Sequence, residues 1–122
     1  MNLEEITVKQ NYVHKGRIIN VRVDDALLPN GEPCTREVVE HNGGVTVAAL
    51  TDDEELLFVR QYRYPYKEVV LELPAGKLEK NEDPFSAVQR ELLEETGAVA
   101  ERYADLGEFY PSPGYCGEII HL

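Results

Sequence analysis

The strongest constraint on the fold lies in residues 83–97, which read DPFSAVQRELLEETG. Asp83 is a favourable helix N-cap, and Pro84 suits the first helical position. Gly97 stands where a left-handed C-cap residue is expected. The apolar residues that recur at helical spacing, and that predict one buried stripe, are Phe85, Val88 and Leu92. These signals predict a helix that begins after Asp83 and ends at Gly97.

Short β-type runs precede and follow this helix. One strand runs through GRIINVRVDDALL, turns at residues 29–31 and returns through TREVVEH, because Asn-Gly favours a tight hairpin. The run GGVTVAAL predicts a central strand, and LLFVRQYR predicts its hairpin partner. VVLELPAGK predicts a further extended segment, and EIIHL predicts an apolar strand. An unpaired edge on that strand would be an aggregation liability, so either the chain is a fragment or a partner chain completes the sheet. Strand, helix and strand in one small chain predict an α/β (α+β) domain with a mixed sheet.

The charge balance limits the kind of partner. The chain has 122 residues, with 12 Lys+Arg against 23 Asp+Glu and a formal net charge of -11. This excess of acid argues against nucleic acid or an anionic membrane as partner, but it does not exclude small anions that metal ions bridge to the protein. No apolar run approaches the ~20 residues that a membrane span needs. Cys34 and Cys116 form no CxxC pair and are expected to be reduced thiols. The N-terminal residues do not resemble a secretory signal, and together these features predict a cytoplasmic protein.

Three glutamates lie close together on the predicted helix, namely Glu91, Glu94 and Glu95. Residues three and four apart on a helix are neighbours, roughly 5–6 Å between their Cβ atoms, so these like charges repel one another. A hard divalent cation would offset the repulsion, because Mg²⁺ prefers oxygen ligands and binds through one or two carboxylates, waters and substrate phosphates. The alternative is a solvated helix face, since glutamate is a good helix former. An EF-hand is not supported, because its loop pattern is absent.

The spacing around these glutamates resembles the signature of the Nudix hydrolases, G-x5-E-x7-R-E-U-x-E-E-x-G-U, in which U is a bulky aliphatic residue. The fixed positions all match, and they are Gly76, Glu82, Arg90, Glu91, Glu94, Glu95 and Gly97. Leu92 fits the first aliphatic position. Ala98 is smaller than the usual last residue, a departure that concerns packing rather than chemistry. We refer to residues 76–98 as the box.

The resemblance implies which residues hold a metal ion. Glu91 and Glu95 resemble the main metal ligands of the family, and Glu94 resembles a further ligand or a residue that orients the bound water. The carbonyl oxygen of Ala75 often joins the metal shell in such enzymes. The implied cofactor is Mg²⁺, with Mn²⁺ as an alternative.

Other positions of the box resemble supporting residues. Arg90 would hold carboxylates in place through its planar fork of donors, as part of the catalytic group. Glu82 would either brace the loop through a salt bridge or take part in catalysis. Gly76 is expected to serve backbone geometry.

The resemblance extends beyond the box to the ADP-ribose pyrophosphatase branch of the family. The segments that carry it read REVVEHNGGV, VRQYRYP, LELPAGK and YPSPGYCGEIIHL. Pro113 lies fifteen residues after Ala98, a spacing that accompanies ADP-ribose hydrolysis in this family. The alternative for Pro113 is ordinary loop punctuation. The resemblance implies metal-assisted attack of water on the pyrophosphate of ADP-ribose, which gives AMP and ribose 5-phosphate.

Charged residues near these segments are candidates for substrate contacts. Arg36 and Arg63 are either anion-binding residues or exposed strand charges, and for Arg60 the exposed charge is favoured. Glu72 is a candidate for holding metal-bound water or the substrate. Three alternating tyrosines would share one face if the strand persists, where packing is favoured over stacking on adenine. They are Tyr62, Tyr64 and Tyr66.

By the same resemblance, residues 1–122 form a single Nudix domain, with a mixed sheet sandwiched by helices. Residues 1–42 would be an antiparallel strand extension, and residues 43–122 a core that lacks its C-terminal part. The branch implies a homodimer, and Glu118 is the late carboxylate available as a base or ligand. Two alternatives stay open: a Nudix pyrophosphatase acting on another nucleoside diphosphate sugar, and a truncated module that binds metal or nucleotide without turnover.

Overall fold

The computed structural model describes residues 1–122, which form ten strands and one helix. The first four strands are β1 (Ile6–Lys9), β2 (Tyr12–Lys15), β3 (Asn20–Leu27) and β4 (Pro33–Glu40). They are followed by β5 (Gly44–Thr46), β6 (Val59–Arg63), β7 (Glu68–Glu72), β8 (Ala75–Lys77), helix α1 (Pro84–Thr96), β9 (Glu108–Phe109) and β10 (Ile120–His121). The chain divides into two compact units, residues 1–42 with 110–118, and residues 43–109 with 119–122. No helix in the chain is long and apolar enough to cross a membrane.

The first unit is built on the β3–β4 hairpin. All eight residues of β3 pair antiparallel with β4, while β1 and β2 pair antiparallel with the two ends of β3. The turn between β3 and β4 is closed by the Leu28 N–H, which donates to the Glu32 carbonyl at 2.8 Å. Gly31 has a φ of 86°, which glycine adopts without a steric cost. The hairpin predicted from Asn-Gly is therefore confirmed.

A buried charge lies on β3. Asp24 is only 5% exposed, and the Arg22 Nε donates to its Oδ2 at 2.8 Å. Arg22 also pairs with Glu40. The arginine therefore joins two carboxylates on this face of the hairpin, and it offsets part of the cost of burying Asp24.

The second unit contains a four-stranded mixed sheet in the order β8-β5-β10-β9. β5 runs parallel to β10 and antiparallel to β8, which confirms both the mixed sheet and the central strand predicted from GGVTVAAL. The EIIHL run does not form an edge of this sheet. β9 pairs antiparallel with β10 on the side away from β5, so the backbone of Ile120 and His121 is paired on both sides.

Helix α1 packs on β5 and β8 and closes the core of this unit. The core cluster consists of Val45, Leu78 and Ala87, with Val88 packed against it, and Leu92 is also fully buried. The predicted stripe is therefore wrong at Phe85, which is 53% exposed and makes an edge-on contact with Tyr103. Ala87 is buried in its place, because a small side chain lets the helix approach the sheet closely.

The hairpin of β6 and β7 forms a separate two-stranded sheet. The predicted pairing of LLFVRQYR with GGVTVAAL is wrong beyond a single bridge between Leu50 and Leu56, because β6 takes β7 as its partner. The alternation predicted for the three tyrosines is also wrong. Tyr62 lies on β6, whereas Tyr64 and Tyr66 lie in the turn after it, and all three are exposed.

Candidate functional site

The box glutamates are presented by a helix that is capped at both ends. The Asp83 Oδ2 accepts hydrogen bonds from the backbone N–H and the hydroxyl of Ser86, both at 3.0 Å. Gly97 has a φ of 74°, and its N–H donates to the Leu93 carbonyl at 2.8 Å. The predicted caps are confirmed, and they fix the start and end of the helix that carries the glutamates.

Glu91 lies directly over the backbone of β8. A Cβ atom at Gly76 would stand 2.1 Å from the Glu91 Cδ and 2.2 Å from its Oε1, far inside van der Waals contact. Gly76 does not have a positive φ, so its glycine is required for the approach of this side chain and not for a special backbone conformation. The expectation that Gly76 serves backbone geometry is therefore corrected.

Glu95 reaches the same strand one residue earlier. The Ala75 N–H donates to the Glu95 Oε2 at 3.3 Å. Burial raises the pKa of the Glu95 carboxyl above its usual range, the Ala75 N–H opposes this, and the negative charges of Glu91 and Glu72 raise it further. The positive charge of Arg63 lowers this pKa by a smaller amount, so the negative charge of Glu95 is only partly compensated.

Arg90 connects three other carboxylates of the box. Its Nη2 donates to both oxygens of Glu82, at 3.1 and 3.2 Å, and its Nη1 donates to Glu91 at 2.8 Å and to Glu94 at 3.3 Å. The bond to Glu82 raises the pKa of the Arg90 guanidinium most. This geometry supports the bracing role for Glu82, since its two oxygens are both held by the arginine.

Arg63 and Glu72 form a further ion pair. Glu72 lies three residues before Ala75, the backbone partner of Glu95. The Arg63 Nε and Nη2 donate to the two Glu72 oxygens at 2.6 and 2.5 Å. The bond to Glu72 raises the pKa of Arg63, and the charge of Glu95 adds to the rise. The sequence nominated both residues separately as substrate contacts, but it did not show that they bind each other. The sequence contained no usable signal for this contact, because it predicted GGVTVAAL and not β7 as the partner of β6.

The remaining candidates belong to the first unit. Arg36 donates to Glu5 from Nε at 2.8 Å and from Nη2 at 2.6 Å. Glu118 lies 3.8 Å from the Nδ1 of His41. Pro113 lies in a turn-rich segment, in which the Cys116 N–H donates to the Ser112 carbonyl at 2.9 Å.

The residues of the box fit a hard divalent cation by their chemistry. No three His, Cys, Asp or Glu side chains converge into a ready-made metal cage. Glu91 and Glu95 nevertheless lie one helical turn apart against β8, and the Glu95 carboxylate accepts a hydrogen bond from a backbone N–H but none from an arginine. Mg²⁺ commonly takes only one or two carboxylates and keeps several waters, so a complete cage is not required.

Comparison with known proteins decides the family. Residues 40–122 match the NUDIX domain, and residues 5–39 match the nucleoside diphosphate sugar hydrolase N-terminal domain. The chain belongs to the Nudix family. The resemblance identified from the seven fixed positions of the box is thereby confirmed.

Individual relatives match nearly the whole chain. An ADP-ribose pyrophosphatase of Bacillus subtilis is 43% identical over 99% of this chain and 65% of the relative. A methanol dehydrogenase activator of Bacillus methanolicus is 47% identical over 98% of this chain and 64% of the relative. An ADP-ribose pyrophosphatase of Mycobacterium tuberculosis is 37% identical over 95% of this chain and 56% of the relative. The chain therefore spans between about half and two thirds of the length of these Nudix relatives.

Proposed function

We propose that this Nudix chain hydrolyses the pyrophosphate bond of ADP-ribose to give AMP and ribose 5-phosphate. The observation that carries the proposal is the placement of Glu91 and Glu95 against residues 75–76 of β8. The relatives that match nearly the whole chain include two proteins named as ADP-ribose pyrophosphatases.

The box supplies the side chains for this reaction. Glu91 and Glu95 would hold Mg²⁺, or Mn²⁺ in its place, with Glu94 and the Ala75 carbonyl as further ligands. When bound, a divalent cation supplies charge neutralisation at the phosphoryl group and a more acidic water. Arg90 keeps Glu91 and Glu94 oriented through the hydrogen bonds that it donates to both.

Substrate recognition is assigned to residues outside the box. The predicted contacts are Arg63 and Glu72, whose charges act on Glu95, together with Arg36 and Pro113. Both arginines are held by carboxylates in the free protein, Arg63 by Glu72 and Arg36 by Glu5, so an anionic substrate competes with these pairs. We also propose a cytoplasmic homodimer, with residues 1–42 as an N-terminal extension of the Nudix core.

Two alternatives have their own support. Residues 5–39 match a nucleoside diphosphate sugar hydrolase domain, which supports this class of substrate but does not specify the sugar. The first alternative is therefore hydrolysis of another nucleoside diphosphate sugar. The second is a module that binds metal or nucleotide without turnover. The relative named as a methanol dehydrogenase activator favours that alternative, because its name describes an action on another protein.

The test is release of AMP from ADP-ribose by the purified chain, with and without Mg²⁺. We expect metal-dependent release that Glu95→Gln lowers by roughly hundredfold or more, the scale expected when a preorganised catalytic group is removed. Glu101→Gln is the matched control, because it removes the same charge from an exposed position beyond the helix.

The outcomes separate the three possibilities. If the chain hydrolyses GDP-mannose or ADP-glucose faster than ADP-ribose, the faster substrate would replace ADP-ribose in the assignment. Binding of ADP-ribose without release of AMP would support the module without turnover. Equal activity of Glu95→Gln and the wild type would contradict the assignment of the site.

A further inference from the structure

The ion pair between Arg63 and Glu72 spans the length of the β6–β7 hairpin. In the strand register, Arg63 lies opposite Glu68 beside the turn, and Glu72 lies opposite Val59 at the other end. Residues that alternate along paired strands share a face, so the Arg63 side chain runs along one face of the hairpin to reach Glu72. It does so although Glu68, its direct neighbour, is an exposed carboxylate.

This choice of partner places the ion pair close to the box. Glu72 ends β7 only three residues before Ala75, whose N–H donates to the Glu95 Oε2 at 3.3 Å. The electrostatic surroundings of Glu95 include Glu72, which raises its pKa, and Arg63, which lowers it. Glu72 is largely covered, at 20% exposure of its side chain, so its charge is screened less than that of an exposed carboxylate. The Arg63 guanidinium therefore holds both oxygens of Glu72, and it keeps that carboxylate from serving as a further ligand of a bound cation.

We propose that Arg63 is a positioning residue that, by holding Glu72, sets how tightly Glu91 and Glu95 bind a divalent cation. The proposal rests on the proposed function only in that the box binds a cation. It adds a control on that binding by a pair of residues outside the box. It requires no substrate.

The proposal predicts opposite effects for the two partners of one ion pair. Arg63→Gln releases Glu72 and removes a positive charge, so Mn²⁺ binds more tightly, on the order of threefold to tenfold. Glu72→Gln leaves the positive charge of Arg63 unpaired beside Glu95, so Mn²⁺ binds more weakly by a similar factor. The double variant returns to within about twofold of the wild type, because the two charge changes cancel.

The experiment is a titration of the purified chain with Mn²⁺ alone, followed by the electron paramagnetic resonance signal of the free ion. Two matched controls change the same charges on the same hairpin. Arg60→Gln lies on the opposite face of β6, and Glu68→Gln lies beside the turn. Each control changes the affinity for Mn²⁺ by less than about twofold, since exposed charges are screened. Thermal melting of every variant reports its folding.

A merely structural ion pair gives a different result. Both single variants would then weaken Mn²⁺ binding together, in step with a lower melting temperature, and this outcome overturns the proposal. Unchanged affinity in both variants overturns it too, as does a wild-type chain that does not bind Mn²⁺. If Arg63→Gln does not fold, Arg63→Lys decides, since it keeps the charge but loses the two-point hold on Glu72. If Arg63→Lys binds Mn²⁺ more tightly than the wild type, the two hydrogen bonds from Arg63 to Glu72 control the affinity, as proposed. An Mn²⁺ affinity that is lowered or unchanged in Arg63→Lys overturns the proposal.

Failure of the proposed function is distinguishable from failure of this inference. Absence of AMP release together with opposite shifts in Mn²⁺ affinity would remove the ADP-ribose assignment and keep the role of Arg63. Metal-dependent AMP release without those shifts would do the reverse.

Discussion

At the scale of single residues, Gly76 shows how one missing Cβ atom organises the site. An alanine at position 76 would place its Cβ atom 2.1 Å from the Cδ and 2.5 Å from the Cγ of Glu91, so the two side chains would overlap. A carboxylate at the end of a flexible side chain can move away, so Gly76→Ala should displace Glu91 without unfolding the chain. The position of Glu91 thus depends on a glycine fifteen residues earlier in the sequence.

We expect Gly76→Ala to lower metal-dependent AMP release by tenfold to hundredfold, roughly, because displacing a reacting group by about 1 Å can cost that much. The melting temperature should change little. Gly114→Ala is the control, since a Cβ at Gly114 meets nothing within 4 Å. Full activity of Gly76→Ala would show that the position of Glu91 is not critical.

At the scale of elements, the cap of helix α1 is the local feature on which the box depends. Asp83→Ala removes both hydrogen bonds to Ser86, and we expect it to lower the free energy of unfolding by about 1 kcal/mol. Asp83→Asn should recover most of the loss, because asparagine caps equally well. Asp53→Ala, in an exposed turn, should change the free energy of unfolding by less than about 0.5 kcal/mol. Urea denaturation measures all three, and equal values for Asp83→Ala and Asp53→Ala would contradict the role of the cap.

The same scale shows which parts of the fold the sequence could predict. The caps Asp83 and Gly97 and the turn at Gly31 were predictable, because each depends on residues a few positions away. The pairing of β10 with β5 was not, since it joins segments more than seventy residues apart and no local signal specifies it. The exposed position of Phe85 also depends on tertiary packing, in which the smaller Ala87 takes the buried place.

The site divides in the same way. The spacing of the box identified Glu91 and Glu95, because a motif records which residues the chemistry needs. It did not record the contact between Gly76 and Glu91, which depends on the packing of the helix on β8. The preference of Arg63 for Glu72 over Glu68 likewise requires the register of β6 and β7 and the position of the box.

At the scale of the whole molecule, an excess of carboxylates is balanced locally by a few arginines. The formal net charge is -11, yet particular carboxylates are well compensated. The bond from Arg36 lowers the pKa of Glu5. The Tyr12 hydroxyl lowers the pKa of Glu40 most, with smaller contributions from Asn20 and Arg22. These groups couple folding to pH, because a carboxyl group with a lowered pKa stabilises the folded state only while it is ionised.

The sign of the pH dependence follows from these two carboxyl groups. Their pKa values in the folded protein lie below the ordinary 4.5, so their stabilisation is complete above that pH and is lost as the pH falls through the lowered values. We expect the melting temperature to fall below about pH 4.5. Glu40→Gln should make that fall shallower, because glutamine has no charge to lose. A melting curve that is flat down to pH 3, or an equally steep fall in Glu40→Gln, would show that these carboxylates do not govern acid unfolding.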